Sequence, residues 1–218
     1  MKLALFDVDG TLSDSQAHIL AAMTQAFTAQ GLAVPATAEV LAIVGLSLPI
    51  AVARLAPAHD GATQAALVEA YKQSYFTGRA ASPAPLYPGA KDCCLRLAAR
   101  EDMLLGMATG KSRRGVEALI AHHGLEGLFV TRQVADDNPS KPHPGMVRAA
   151  LAEAGVEPHD AVMIGDTTYD IEMGLAAGVA VLGVSWGYHP VADLRAAGAE
   201  RIVETFEELE MAVLEILA

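Results

Sequence analysis

Apolar and polar positions divide the chain into a short opening strand, a helical stretch and a long alternating region. Leu3-Ala4-Leu5-Phe6 is an apolar run closed by Asp7, and Gly10 marks a turn shortly after it. From about Asp14 to Gly78 apolar residues recur at helical spacing instead, Ile19, Met23 and Phe27 first, then Leu67, Tyr71 and Tyr75. No strand is expected there. Ser82-Pro83-Ala84-Pro85-Leu86-Tyr87-Pro88-Gly89 reads as a linker, because each proline disfavours helix at the residue before it.

Beyond the linker the two patterns alternate. Helices are expected near Ala90 to Arg100, Arg113 to His123, Pro144 to Ala154 and Tyr169 to Ala177; strands near Met103 to Ala108, Leu128 to Val130, Ala161 to Ile164 and Val179 to Val184. This repetition predicts an α/β fold, a doubly wound, Rossmann-like parallel sheet with helices on both faces, to which the Leu3 to Phe6 strand belongs. The helical stretch is then an insertion between the first strand and the rest of its own sheet. The expected division is an α/β core of residues 1–13 and 86–218 and a small all-helical cap domain of residues 14–85, placed to act as a lid.

Length and composition agree with that picture. The 218 residues suffice for one large domain or for a core domain with an insertion, and a chain just over half hydrophobic with few aromatics suits helices packed on a sheet. A formal charge of -11 opposes binding to nucleic acid or to anionic membranes, which need clustered Lys and Arg, while a small anionic substrate stays possible inside one pocket. Cys93 and Cys94 are adjacent and lack redox or zinc spacing, so reduced, helix-packing thiols are expected. Four apolar residues before Asp7 are too few for a signal peptide, and no apolar run approaches the roughly 20 residues of a membrane span. A cytoplasmic location is expected. Nothing in the pattern fixes the oligomeric state.

The candidate chemistry lies at the carboxyl ends of the predicted strands, where open α/β folds place their ligands. Asp7 and Asp9 follow the first strand; Thr109, Gly110 and Lys111 follow the second; Lys141 precedes a proline-bounded helix start; Asp166 and Asp170 span a strand-to-helix turn. Each has an ordinary reading. Asp-Gly is common in turns, Thr and Asp cap helices, Asp170 in a first turn meets the helix dipole, and lone lysines are mostly solvated. Together they are more telling, because each lies at or beyond a core strand end.

In this order the residues resemble the motifs of the haloacid dehalogenase-like hydrolase superfamily. Asp7 to Thr11 matches its DxDGT, Thr109 its second-motif hydroxyl, Lys141 its third-motif lysine, and Asp166 with Asp170 its GDxxxD. Residues 9–15, Asp-Gly-Thr-Leu-Ser-Asp-Ser, look like the phosphoglycolate phosphatase branch, and the helical insertion looks like that family's small cap. The resemblance implies that Asp7 is the nucleophile, forming an aspartyl-phosphate, and that Asp9 is the general acid and base. It implies Mg²⁺ held by Asp7, the backbone carbonyl of Asp9 and Asp166, with Asp170 orienting that shell. Thr109, Gly110 and Lys141 would hold the phosphoryl oxygens of a small phosphorylated metabolite, with 2-phosphoglycolate the leading candidate.

Other activities fit less well. A dehalogenase would not be expected to carry Asp9, and phosphonate cleavage uses a cap lysine, whereas Lys72 reads as a solvated helix charge. A sugar-phosphate mutase of the β-phosphoglucomutase type shares the aspartyl-phosphate step, but Thr11 favours the hydrolases and Val44 to Pro49 lacks an arginine-flanked pattern. A non-catalytic binding or regulatory member would be expected to have lost a core carboxylate or the lysine. In the cap, Arg54 and Arg79 are candidates for meeting a substrate carboxylate, with solvated helix arginines the alternative. Trp186 is expected to pack, and Asp136 and Asp137 either support Lys141 or are exposed turn acids.

Overall fold

Side chains alternate across strand β1 (Lys2–Phe6): Leu3 and Leu5 enter one apolar layer, Ala4 and Phe6 the other, and all four are fully buried. β4 (Ala161–Gly165) does the same, with Ala161 and Met163 on the first side and Val162 and Ile164 on the second. Strands buried on both faces need no polar alternation, which is why they read as continuous apolar runs. The computed structural model describes residues 1–218, apart from the side chains of Ala80 and Ala81.

With β2 (Met103–Ala108), β3 (Phe129–Gln133), β5 (Ala180–Val184) and β6 (Arg201–Val203), these strands form one parallel sheet ordered β3-β2-β1-β4-β5-β6. One face carries α5 (Ala90–Ala98), α6 (Arg113–His123) and α10 (Phe206–Ile216); the other carries α7 (Gly145–Ala154) and α8 (Thr168–Ala177), while α9 (Val191–Ala196) packs beside α8 and β5. The doubly wound sheet expected from the alternation is thus present. Three elements escaped the pattern: β6, α9 and α10. β3 also lies later than the Leu128 to Val130 expectation, because only Phe129 and Thr131 of this edge strand are buried.

Four helices, α1 (Gln16–Ala29), α2 (Thr37–Leu41), α3 (Leu48–Leu55) and α4 (Gly61–Ala81), follow β1 and gather around their own apolar cluster, with α1 packed along α4. Asp60 caps α4 by accepting from the Thr63 amide at 2.9 Å. The two connections to the sheet run side by side. Asp14 N donates to Pro85 O at 2.9 Å, Tyr87 N donates to Leu12 O at 3.0 Å, and Ser13 bridges Leu86 in antiparallel fashion. Cys93 and Cys94 are buried free thiols on α5, and among the described residues no helix is long and apolar enough to cross a membrane.

Candidate active site

The chain leaves β1 toward β2 on one side, and later reaches β4 on the other side of β1. A crevice opens at the carboxyl ends of β1 and β4, where the strand order reverses. Asp7 and Asp166 stand directly at those ends. The Asp7 amide donates to Ile164 O at 2.9 Å, continuing the β1–β4 ladder by one residue and so fixing Asp7 beside β4. Gly10 turns the chain with φ +88°, and a Cβ there would fall 2.3 Å from Asp166 Oδ2; only glycine serves. Thr11 Oγ1 then donates to Asp166 Oδ1 at 2.8 Å, and the Tyr188 amide donates to Asp166 Oδ2 at 2.9 Å.

Lys141, from the loop between β3 and α7, is fully buried beneath Asp7. Its Nζ lies 2.9 Å from Asp7 Oδ1 and 2.6 Å from Asp170 Oδ1. Asp170 is held on its other oxygen too, since Oδ2 accepts from Thr167 N at 3.1 Å and Thr167 Oγ1 at 2.7 Å in the capping box of α8. Asp9 points elsewhere: its Oδ1 accepts from Ser15 Oγ and from Lys111 Nζ, each at 2.6 Å.

A cavity of about 570 Å³ lies between this crevice and the helical segment, lined by Asp7, Asp9, Thr109, Gly110 and Lys111 on the sheet side and largely by apolar side chains opposite. The loop before α3 closes on the sheet. A Cβ on Gly110 would lie 2.4 Å from Gly45 O, and the Ser47 amide donates to Ser140 Oγ at 2.8 Å.

Three buried carboxylates face one ammonium here, and burial opposes their charge. Desolvation raises Asp7 to about 6, partly countered by Lys141 and reinforced by Asp170 and Asp9; desolvation, then Asp170 and Asp7, push Asp166 well above the usual carboxylate range. Lys141 is driven upward by Asp170 and Asp7 in spite of its own burial. Neither oxygen of Asp7 receives a hydrogen bond among the described residues, the Lys141 contact being an ion pair without hydrogen-bond geometry. Carboxylate oxygens of Asp7, Asp166 and Asp170 come within 4.8 Å of one another. Excess negative charge, oxygen-only donors and free lone pairs on Asp7 suit a hard divalent cation.

A profile described as haloacid dehalogenase-like hydrolase matches residues 4–184. The chain belongs to the haloacid dehalogenase-like hydrolase family. A Dickeya dadantii protein named "Probable phosphatase IndB" is 34% identical over 213 residues, covering 95% of this chain and 91% of that protein. The phosphoglycolate phosphatase of Rhodospirillum rubrum is 33% identical over 220 residues, with 95% of this chain and 89% of that protein covered. The crystal structure of a hydrolase from Pseudomonas syringae shares the fold over 100% of both chains, with a TM-score of 0.88 at 23% identity. This member of the family is a phosphoric monoester hydrolase.

Of the residues singled out in the hydrolase's sequence, Asp7, Lys141, Asp166 and Asp170 form one buried cluster, while Asp9, Thr109 and Gly110 border the cavity beside Asp7. The Asp9 side chain stands outside the group of three carboxylates. Arg79 lines the cavity, whereas Arg54 donates to Tyr169 OH at 2.8 Å and stacks on that ring away from it. Lys72 is exposed and paired with Glu69. Asp136 and Asp137 do not support Lys141: Asp136 accepts from the Arg113 amide and Asp137 pairs with the Arg113 side chain, because α6 starts beside them. Trp186 packs between Tyr87 and Phe206 and donates to Thr11 O at 3.0 Å. The sequence assigns no role to Ser15, Lys111, Tyr75 or the Tyr188 amide, although Ser15 closes the 9–15 stretch and Lys111 follows Thr109-Gly110.

Proposed function

We propose that this hydrolase is an Mg²⁺-dependent phosphatase of a small phosphate monoester, working through an aspartyl-phosphate, with 2-phosphoglycolate as the leading substrate. The observation that carries the reading is Asp7 itself, a buried carboxylate at the cavity floor with Lys141 2.9 Å from Oδ1 and no partner for Oδ2 among the described residues. The names of the relatives from Rhodospirillum rubrum and Haemophilus influenzae support the choice of substrate. In this reading residues 14–85 are the cap and residues 1–13 with 86–218 the catalytic core. Two buried free thiols suit the reducing cytoplasm.

An Asp7 oxygen attacks phosphorus, and the bond to the leaving oxygen breaks as the aspartyl-phosphate forms. Asp9 gives a proton to the leaving alkoxide and then takes one from the water that releases phosphate. The Thr109 hydroxyl, the Gly110 amide and Lys141 hold the phosphoryl oxygens, and Lys141 keeps Asp7 oriented from below. Asp7, Asp166 and the backbone carbonyl of Asp9 would hold Mg²⁺, which when bound supplies positive charge against the phosphoryl group. Asp170 orients Lys141 and that shell, its Oδ1 accepting from Lys141 and its Oδ2 from Thr167.

The test is phosphate release from a panel of phosphorylated metabolites, with Mg²⁺ and with chelator. Release from 2-phosphoglycolate that chelator abolishes and Asp7→Asn eliminates is the expected result. Substantial activity of Asp7→Asn would exclude the covalent scheme. Conversion of β-glucose 1-phosphate, given a bisphosphate primer and without phosphate release, would assign a mutase instead, and turnover of nothing in the panel would favour a binding member.

A further inference from the structure

The mechanism above leaves one buried cation of the cavity without a role. Lys111 Nζ donates to Asp9 Oδ1 at 2.6 Å and to Tyr75 OH at 2.9 Å, and stands 5.0 Å from the centre of the Tyr75 ring. Its side chain is 8% exposed and that of Asp9 14%, so little water screens the pair. Ser15 Oγ donates to the same Asp9 oxygen, and Tyr188 OH lies 3.1 Å from Ser15 Oγ. Both donors converge on Oδ1. No hydrogen bond among the described residues reaches Oδ2, which leaves that oxygen for the substrate.

Gly115 is a second, independent sign that the lysine's path is built in. It lies buried in the first turn of α6, where alanine would be the better helix former. A Cβ there would fall 2.8 Å from Lys111 Cγ and 3.3 Å from Cδ and Cε. The absent side chain is the space through which the lysine stem passes.

We propose that Lys111 is a positioning residue for Asp9, held in place from the helical segment by Tyr75. The ammonium and Ser15 fix Oδ1 so that Oδ2 faces the leaving oxygen, and Tyr75, on α4, ties that alignment to the seating of the helices over the sheet. The inference rests on the phosphatase reading, in which Asp9 hands its proton to the leaving group as the bond to phosphorus breaks. It makes the general acid complete only when α4 is in place.

Leaving groups distinguish this role from a structural one. An alkoxide needs the proton from Asp9, whereas p-nitrophenolate is a stable anion that departs without it. Because kcat/KM reports steps up to aspartyl-phosphate formation, it is compared for 2-phosphoglycolate, or another alkyl phosphate that the wild type hydrolyses, and for p-nitrophenyl phosphate. Lys111→Met is expected to lower the alkyl value about 100-fold and the aryl value less than about tenfold. Tyr75→Phe, which removes one hydroxyl, is expected to shift the same ratio about fivefold and to add nothing in the Lys111→Met background. Gly115→Ala should move the ratio likewise while leaving α6 no less stable, which keeps the test decisive should Lys111→Met fold poorly. Equal losses on both substrates, or no loss on either, would overturn the positioning role. Absence of wild-type turnover of both would overturn the phosphatase reading on which it rests.

Discussion

Asp7 carries its charge at a cost to the fold. Its folded-state value of about 6, against 3.8 for the unperturbed group, means that the folded chain holds this proton more tightly than the unfolded chain. The group therefore favours folding most below its unfolded value and loses that contribution as pH rises through about 6. In chelator, Asp7→Asn is expected to melt above the wild type, by a margin larger near about pH 7 than near about pH 4.5, and calorimetry at the two values checks it. Lys141→Ala should do the opposite and destabilise by about 3–5 kcal/mol, since it leaves Asp7 and Asp170 buried without their counter-charge; denaturant titration measures it. At this scale the sequence was legible wherever a polar residue ended an apolar strand, as at Asp7, Thr109 and Asp166. Lys111 was not, because Asp9 and Tyr75 lie 102 and 36 residues away and nothing in the local pattern announces either partner.

Loops rather than helices bring the elements of the site together. The turn after β2 and the loop before α3 approach so closely that any side chain on Gly110 would strike the backbone of Gly45 and Leu46. Gly110→Ala is expected to displace that loop and raise KM for the alkyl substrate about tenfold while the sheet stays intact, as steady-state kinetics and circular dichroism together would show. Long elements with both faces buried announced themselves through unbroken apolar runs, β1 and β4 above all. β6 did not: three residues at a sheet edge, with only Val203 buried, give no period to read. In the capping box of α8 the Asp170 carboxylate accepts from Thr167 at the helix start with one oxygen and from Lys141 with the other.

For the molecule as a whole, the proposed Mg²⁺ site among the buried carboxylates at the strand ends predicts that stability depends on the cation. Mg²⁺ at about 100 times its dissociation constant should stabilise the chain by about 2.7 kcal/mol, seen as a rise in melting temperature that Asp166→Ala abolishes. The α/β class and the helical insertion were legible because each imposes a different apolar period on a long stretch. How the insertion meets the sheet was not, since that depends on backbone contacts at Gly45, Gly110 and Ser47 that leave no compositional trace.

The paired connections at Leu12–Asp14 and Pro85–Tyr87 have a consequence for the engineering of this chain. Entry and exit of the four helices lie one hydrogen-bonded step apart, as the two legs of a hairpin do. Closing that step with a tight two-residue turn would delete the helices without moving a strand, and a different module could be spliced across the same gap. No residue of the four helices takes part in the strand pairing of the sheet.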